Sequence, residues 1–197
     1  DEWDCIFRKY PDNVEEQKKY LDFLRFFIKG KSYVALAYMT GILPIKKYGE
    51  HSALNMFDEY SMTNQRELAE FTGFTEEEVK ELCVQYDMPY EKMKQWYDGF
   101  IFGGHRDIYN PWSITNYLKE KKLRPYWADT SSNGLAGKLI RTASPEIKEH
   151  MEDLLKGQEI VVNFDEQIVY NQLDHNENAI WSLLLASGYL KADQVEY

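Results

Sequence analysis

The chain has 197 residues, 44% of them apolar and 15% aromatic, so it has the material for a packed core and does not read as a disordered segment. Its formal charge is -10, concentrated in residues 136–197, which carry five Lys/Arg and eleven Asp/Glu; that field repels phosphate backbones and argues against nucleic acid as the partner. No apolar run approaches the ~18 residues of a membrane span, no basic leader opens the chain, and two cysteines, Cys5 and Cys83, are too few for a secreted disulfide scaffold. The expected setting is therefore a reducing cytoplasm.

In chain order, the acidic cluster Asp1-Glu2-Trp3-Asp4 reads as the end of a strand passing into a loop. Residues 13–29 form an amphipathic helix: Tyr20, Leu21, Phe23, Leu24, Phe27 and Ile28 share a wide face, Asn13 caps the start and Gly30 ends it. The run from Ser32 to Met39, between Gly30 and Gly41, has the continuous apolar texture of a strand buried on both faces. Without neighbours, such a strand would expose an apolar edge, to be met by self-association or by local disorder within residues 1–60.

Thr75-Glu76-Glu77-Glu78 is a capping box flanked by Phe74 and Val79 at the hydrophobic-staple positions, which starts a helix reaching Tyr86. Pro89 opens another helix to about Trp96. Residues 98–105 suggest a hairpin turning at Gly103-Gly104. Asn110-Pro111 and Ser144-Pro145 each pair a cap with a proline in the first turn, the second helix running to Leu155 and stopping at Gly157. Residues 160–162 read as a short strand, 177–187 as an apolar helix closed by Gly188, and 189–192 as a returning strand, together a winged-helix-like unit. The fold class expected is mainly α with a few short strands, divided at residues 1–62, 63–135 and 136–197.

Three residues are candidates for chemistry. An Asp-Glu pair at a strand end serves phosphoryl transfer when the Asp holds the water shell of Mg²⁺ and the Glu polarises the attacking water. Asp1 and Glu2 have that adjacency, although the dipeptide alone is unspecific. Thr40 stands at the carboxyl end of the apolar run, where ligands of open α/β sheets sit. The histidines His51, His105, His150 and His175 show no metal-ligand spacing. Trp96, Tyr97, Trp112 and Trp127 read as core and hairpin anchors rather than a base-stacking platform, Asp98 and Asn110 as turn and cap residues, and Lys46 and Lys47 as a solvated loop. Gly137-Lys138 fails as a phosphate loop, because Leu139 replaces the required Ser/Thr and Ser132 the first glycine. Pro11-Asp12 and Glu120-Lys121-Lys122 fall beside or within helices and fail as a nuclease site.

Taken together, Asp1-Glu2-Trp3-Asp4, the segment from Ala37 to Ile45, Phe71-Thr72-Gly73-Phe74 with the capping box, Trp96-Tyr97-Asp98-Gly99-Phe100, Tyr109-Asn110-Pro111-Trp112-Ser113, residues 126–133 and Ala179-Ile180-Trp181-Ser182-Leu183-Leu184 resemble, in order, the predicted AAA-ATPase-like family of bacteria and some archaea. The resemblance implies that the chain is the C-terminal portion of such a protein: a remnant of the P-loop NTPase core, a helical lid and a small terminal unit. It puts Asp1-Glu2 at the end of the Walker B strand and Thr40 at the sensor position. It implies a P-loop half before residue 1 and often a PD-(D/E)XK nuclease-like domain after residue 197. ATP and Mg²⁺ would belong to the intact protein, with Asp1 reaching the metal through water, and neither to this portion alone. The rival expectation is a helical interaction module, with a protein or a second copy as partner.

Overall fold

The computed structural model describes residues 1–44, 54–64, 66–97, 99–102, 104–128, 134–173 and 176–196. Its described residues are mainly helical, with one two-stranded antiparallel sheet. The chain divides into two compact units, residues 1–59 with 134–187, and residues 60–133 with 188–197.

In the first unit, α1 (Cys5–Lys9) leads into α2 (Val14–Ile28), capped as expected by the Asn13 side chain, which accepts from Glu16 N at 3.2 Å. Trp3, Phe7, Leu21, Leu54 and Val169 form the core, with Tyr20 and Leu24 packed against it. Only Leu21 of α2 is buried; Phe23, Phe26 and Phe27 are exposed, so its apolar face is wider than the core it meets. Helices α6 (Gly134–Thr142), α7 (Pro145–Leu155) and α8 (Ala179–Ala186) complete the unit, and α6 packs on α8. Six consecutive residues of α8, Ala179 to Leu184, are buried, which is why its sequence carries no polar stripe. The expected stops at Gly30, Gly157 and Gly188 all have positive φ.

The second unit holds α3 (Glu76–Gln85), α4 (Tyr90–Tyr97), the hairpin strands β1 (Phe100–Phe102) and β2 (His105–Ile108), and α5 (Pro111–Glu120). A 3-10 turn at Arg66–Phe71 packs beside β2. The capping box is complete: Glu78 N donates to Thr75 Oγ1 and Thr75 N donates to Glu78 Oε2. The strands pair Phe100 with Ile108 and Phe102 with His105, with an irregularity between. Phe74 and Tyr109 add a bridge through reciprocal backbone bonds of 3.0 and 2.7 Å. Val79, Cys83, Met93, Tyr109, Ile114, Tyr117 and Leu118 make the core between the helices, and burial pushes the Cys83 thiol pKa up.

Three expected strands are absent. Residues 32–39 adopt turns and extended coil, with Leu36 87% exposed, instead of a strand buried on both faces. Residues 160–162 form no strand, Val161 being fully exposed, and neither do 189–192. The reason is common to all three: an apolar run becomes a strand only where another segment accepts its ladder bonds, and among the described residues none does. The winged-helix-like reading of 136–197 therefore loses the strands of its wing. Conversely, α1 and α6 are helices without a local sequence signal, α1 because five residues show no period and α6 because Gly134 and Gly137 lower its propensity.

Two predictions follow from the second unit. A Cβ on Gly73 would lie 2.6 Å from the Tyr109 carbonyl oxygen and 2.7 Å from Ile108 Cγ2, whereas one on Gly104 meets nothing within 4 Å. Thermal unfolding of Gly73→Ala is expected to show a loss of about 1–3 kcal/mol, and Gly104→Ala a change below about 0.5 kcal/mol. Glu76 accepts from the Tyr90 hydroxyl, from Lys94 Nζ at 3.0 Å and pairs with Lys80 at 3.0 Å; these partners, the Tyr90 bond foremost, hold its pKa down to about 2. A depressed carboxylate pKa stabilises the fold above its ordinary value and ceases to do so as pH falls through the folded one. The stability gap between wild type and Glu76→Gln should be widest above pH 4.5 and close as pH falls through about 2, measured by denaturant unfolding across that window.

Candidate functional site

The chain meets itself in the first unit where residues 1–4 lie against residues 40–42. Trp3 N donates to the Thr40 carbonyl at 2.9 Å, and the Thr40 hydroxyl donates to Asp1 Oδ1. Asp1 Oδ1 also accepts from Glu2 N at 3.0 Å. Two of the three predicted site residues, 39 positions apart, are thus hydrogen-bonded partners. The third is turned away: Glu2 has φ +50, and its carboxylate pairs with Arg8 NH2 at 3.0 Å.

Thr40 is followed by glycine for a steric reason. A Cβ on Gly41 would stand 2.4 Å from Trp3 Nε1 and 2.5 Å from its Cδ1, so any side chain there would push the indole off the backbone. Trp3 is buried and meets Phe7 edge-on at 5.5 Å, which in turn stacks on Tyr170 at 6.1 Å.

Beneath this contact sits Asp4, completely buried. Its Oδ2 accepts from Ile42 N and from the Tyr170 hydroxyl, each at 2.7 Å, and its Oδ1 faces Arg8 NH2 at 3.5 Å. Burial works against the charge of the Arg8 guanidinium, but Asp4 and Glu2 outweigh it and raise its pKa. In the sequence Asp4 is one member of an acidic cluster. Nothing in its local pattern distinguishes a carboxylate that closes a core from one that faces water.

The second unit contains a concavity of about 570 Å³. Its walls come from Trp96, Tyr97, Gly99 and Phe100, from Asn110 and Ser113, and from residues 125–128, joined by residues 188–191. Of the aromatic residues read as anchors, Tyr97 packs against Tyr117 and Tyr126, and the Trp112 indole donates to the Tyr126 carbonyl at 3.0 Å. Asn110 is the cap it was read to be, accepting from Trp112 N and Ser113 N. His105 pairs with Glu70 at 3.4 Å, and His150 lies against the Trp181 ring. His51, His175, Lys46, Lys47 and Asp98 lie outside the described residues. Among the described residues no group of three or more His, Cys, Asp or Glu converges to hold a metal, and no helix is long and apolar enough to cross a membrane. No family model, curated protein or solved structure matches the chain.

Removing the Asp4 carboxylate takes away the acceptor shared by Ile42 N and the Tyr170 hydroxyl and leaves Arg8 paired with Glu2 alone. Urea unfolding of Asp4→Ala is expected to show a loss of about 3 kcal/mol, and Tyr170→Phe, which removes one bond of the set, about 1 kcal/mol.

Proposed function

We propose that the chain is the C-terminal portion of an AAA-like ATPase, with Asp1 and Thr40 at the edge of its nucleotide site. The observation that carries this reading is the hydrogen bond between the Thr40 hydroxyl and the Asp1 carboxylate, supported by the backbone bond from Trp3 N to the Thr40 carbonyl. A carboxylate bonded to a hydroxyl at the end of an extended stretch suits what phosphoryl transfer needs beside a γ-phosphate. The donor set suits Mg²⁺, which keeps most of its waters and takes one or two carboxylates together with substrate phosphates. In the intact protein Mg²⁺ would neutralise charge on the phosphates. Asp1 would hold its water shell, Thr40 would fix the orientation of the Asp1 carboxylate, and Glu2, once released from Arg8, would polarise the attacking water.

No G-x-x-x-x-G-K-[ST] run occurs in the sequence, so the chain alone has no cradle for phosphates and is not itself an ATPase in this proposal. Two free cysteines suit a reducing, cytoplasmic compartment. A second reading, a protein-interaction module switched by the ATPase, is favoured by one observation: Phe23, Phe26 and Phe27 present an exposed aromatic row on α2, which suits a protein partner or a second copy better than nucleic acid.

The test is ATP turnover with Mg²⁺ by the natural gene product that contains this chain. Asp1→Asn and Thr40→Ala are each expected to lower kcat by about 10²-fold while leaving the unfolding temperature unchanged. Turnover unaffected by both substitutions, or a gene product without nucleotide affinity, rejects the ATPase reading.

A further inference from the structure

The aromatic concavity of the second unit has no part in the nucleotide reading, and it has the features of a built recognition site. Its volume of about 570 Å³ falls within the ~300–1,000 Å³ of ligand sites. Its walls are held in place from behind. The Tyr97 hydroxyl donates to the Arg124 carbonyl at 2.8 Å and accepts from Arg124 N at 3.1 Å, while the Tyr126 hydroxyl donates to the Lys122 carbonyl at 2.7 Å. The Trp127 ring lies 5.3 Å from that of Tyr189. Rings locked by such bonds lose little freedom when a ligand arrives.

What remains unpartnered in the cavity has one chemical character. Ser113 is only 5% exposed, lines the cavity, and its hydroxyl has no hydrogen-bond partner among the described residues. Its oxygen is not sealed from solvent, so a ligand can take the place of water on it. The Trp96 indole N–H and the Asn110 amide N–H groups also line the cavity without such partners, and the Asn110 carbonyl is already occupied by Trp112 N and Ser113 N. The site therefore offers donors over flat apolar faces.

Charge complementarity decides the occupant. Among the described lining residues the only charged side chain is Lys191, and the chain as a whole carries -10, so a polyphosphate strand would find no cationic track. A ligand matched to donors and aromatic faces is rich in carbonyl acceptors, poor in donors and apolar between them. Polyproline II segments have that composition, since proline lacks an N–H and the backbone carbonyls of the helix stand free. Aromatic-lined grooves are the usual way proteins recognise them. Trp96 at 50% and Tyr189 at 41% exposure leave the site open along its rim, as an extended ligand requires.

We propose that this cavity binds an extended proline-rich peptide, with Tyr97, Phe100 and Trp127 packing against proline rings and with the Ser113 hydroxyl and Trp96 indole donating to its carbonyls. The proposal stands apart from the ATPase reading and survives its failure.

The test is calorimetric and tryptophan-fluorescence titration of the intact chain with a capped oligoproline peptide, alongside a capped Gly-Ser peptide and an oligothymidylate. Saturable binding of oligoproline alone is expected, weakened about tenfold or more in Ser113→Ala and in Trp96→Ala. Ser113→Ala changes one atom in a retained helix, and thermal unfolding verifies that both variants fold. The interaction-row variant Phe26→Ser serves as a control expected to bind normally. Absence of saturable oligoproline binding, equal or tighter binding of the oligothymidylate, or binding unchanged in both cavity variants overturns the proposal.

Discussion

A carboxylate buried from water must have its charge answered by the protein, and in the first unit Asp4 imposes that requirement on the adjoining helix α1 and on two distant stretches of chain. Ile42 N, the Tyr170 hydroxyl and the Arg8 guanidinium converge on it from positions 38, 166 and 4 residues away. Each adds to what hydrophobic contact alone supplies, because every partner lost leaves the buried charge less compensated. The neighbouring Trp3 then has a single place to go, over the bare Cα of Gly41, and Trp3 N is aligned on the Thr40 carbonyl. The contact between Asp1 and Thr40 is the outermost consequence of this arrangement, and any chemistry there inherits its geometry from Asp4.

The second unit is organised around a different kind of interaction. Glu76, Tyr90, Lys94 and Asp107 form a chain of charge-assisted bonds that ties the start of α3 to α4 and to β2, with Lys94 reaching Glu76 at 3.0 Å and Asp107 at 3.2 Å. Both partners raise the Lys94 pKa, so the ammonium is a permanent strut rather than a switch. With α4 fixed at one end by that network and at the other by the Tyr97–Arg124 bonds, the aromatic side chains between them stand as preset walls. The two units thus differ in chemical character. One brings oxygen donors to the ends of chain segments, and the other presents rings and N–H or O–H donors around an apolar hollow.

Much of the helical architecture was legible in the sequence because its signals are local. Asn13, the box from Thr75 to Glu78, Asn110-Pro111 and Ser144-Pro145 each announce a helix within one turn of its start, and the glycines at 30, 157 and 188 announce the stops. The hairpin was legible for the same reason. Of the candidate site, the pairing of Asp1 with Thr40 could be anticipated only through the ordered resemblance of many motifs. The importance of Asp4, the diversion of Glu2 to Arg8 and the convergence of the aromatic segments on one cavity had no local signature.

The amino-acid sequence by itself determined where α2, α3, α4, α5, α7 and α8 begin, and where all of these but α5 end, because a helix satisfies its backbone hydrogen bonds within its own segment. Tertiary structure decided the rest. It left the apolar runs at 32–39, 160–162 and 189–192 without strand partners, since a strand's bonds lie in another segment that the run itself does not specify. It also selected one carboxylate of an acidic cluster for burial and gathered rings from three separate segments into a single hollow, because burial and convergence are properties of packing between distant residues rather than of any residue's neighbours along the chain.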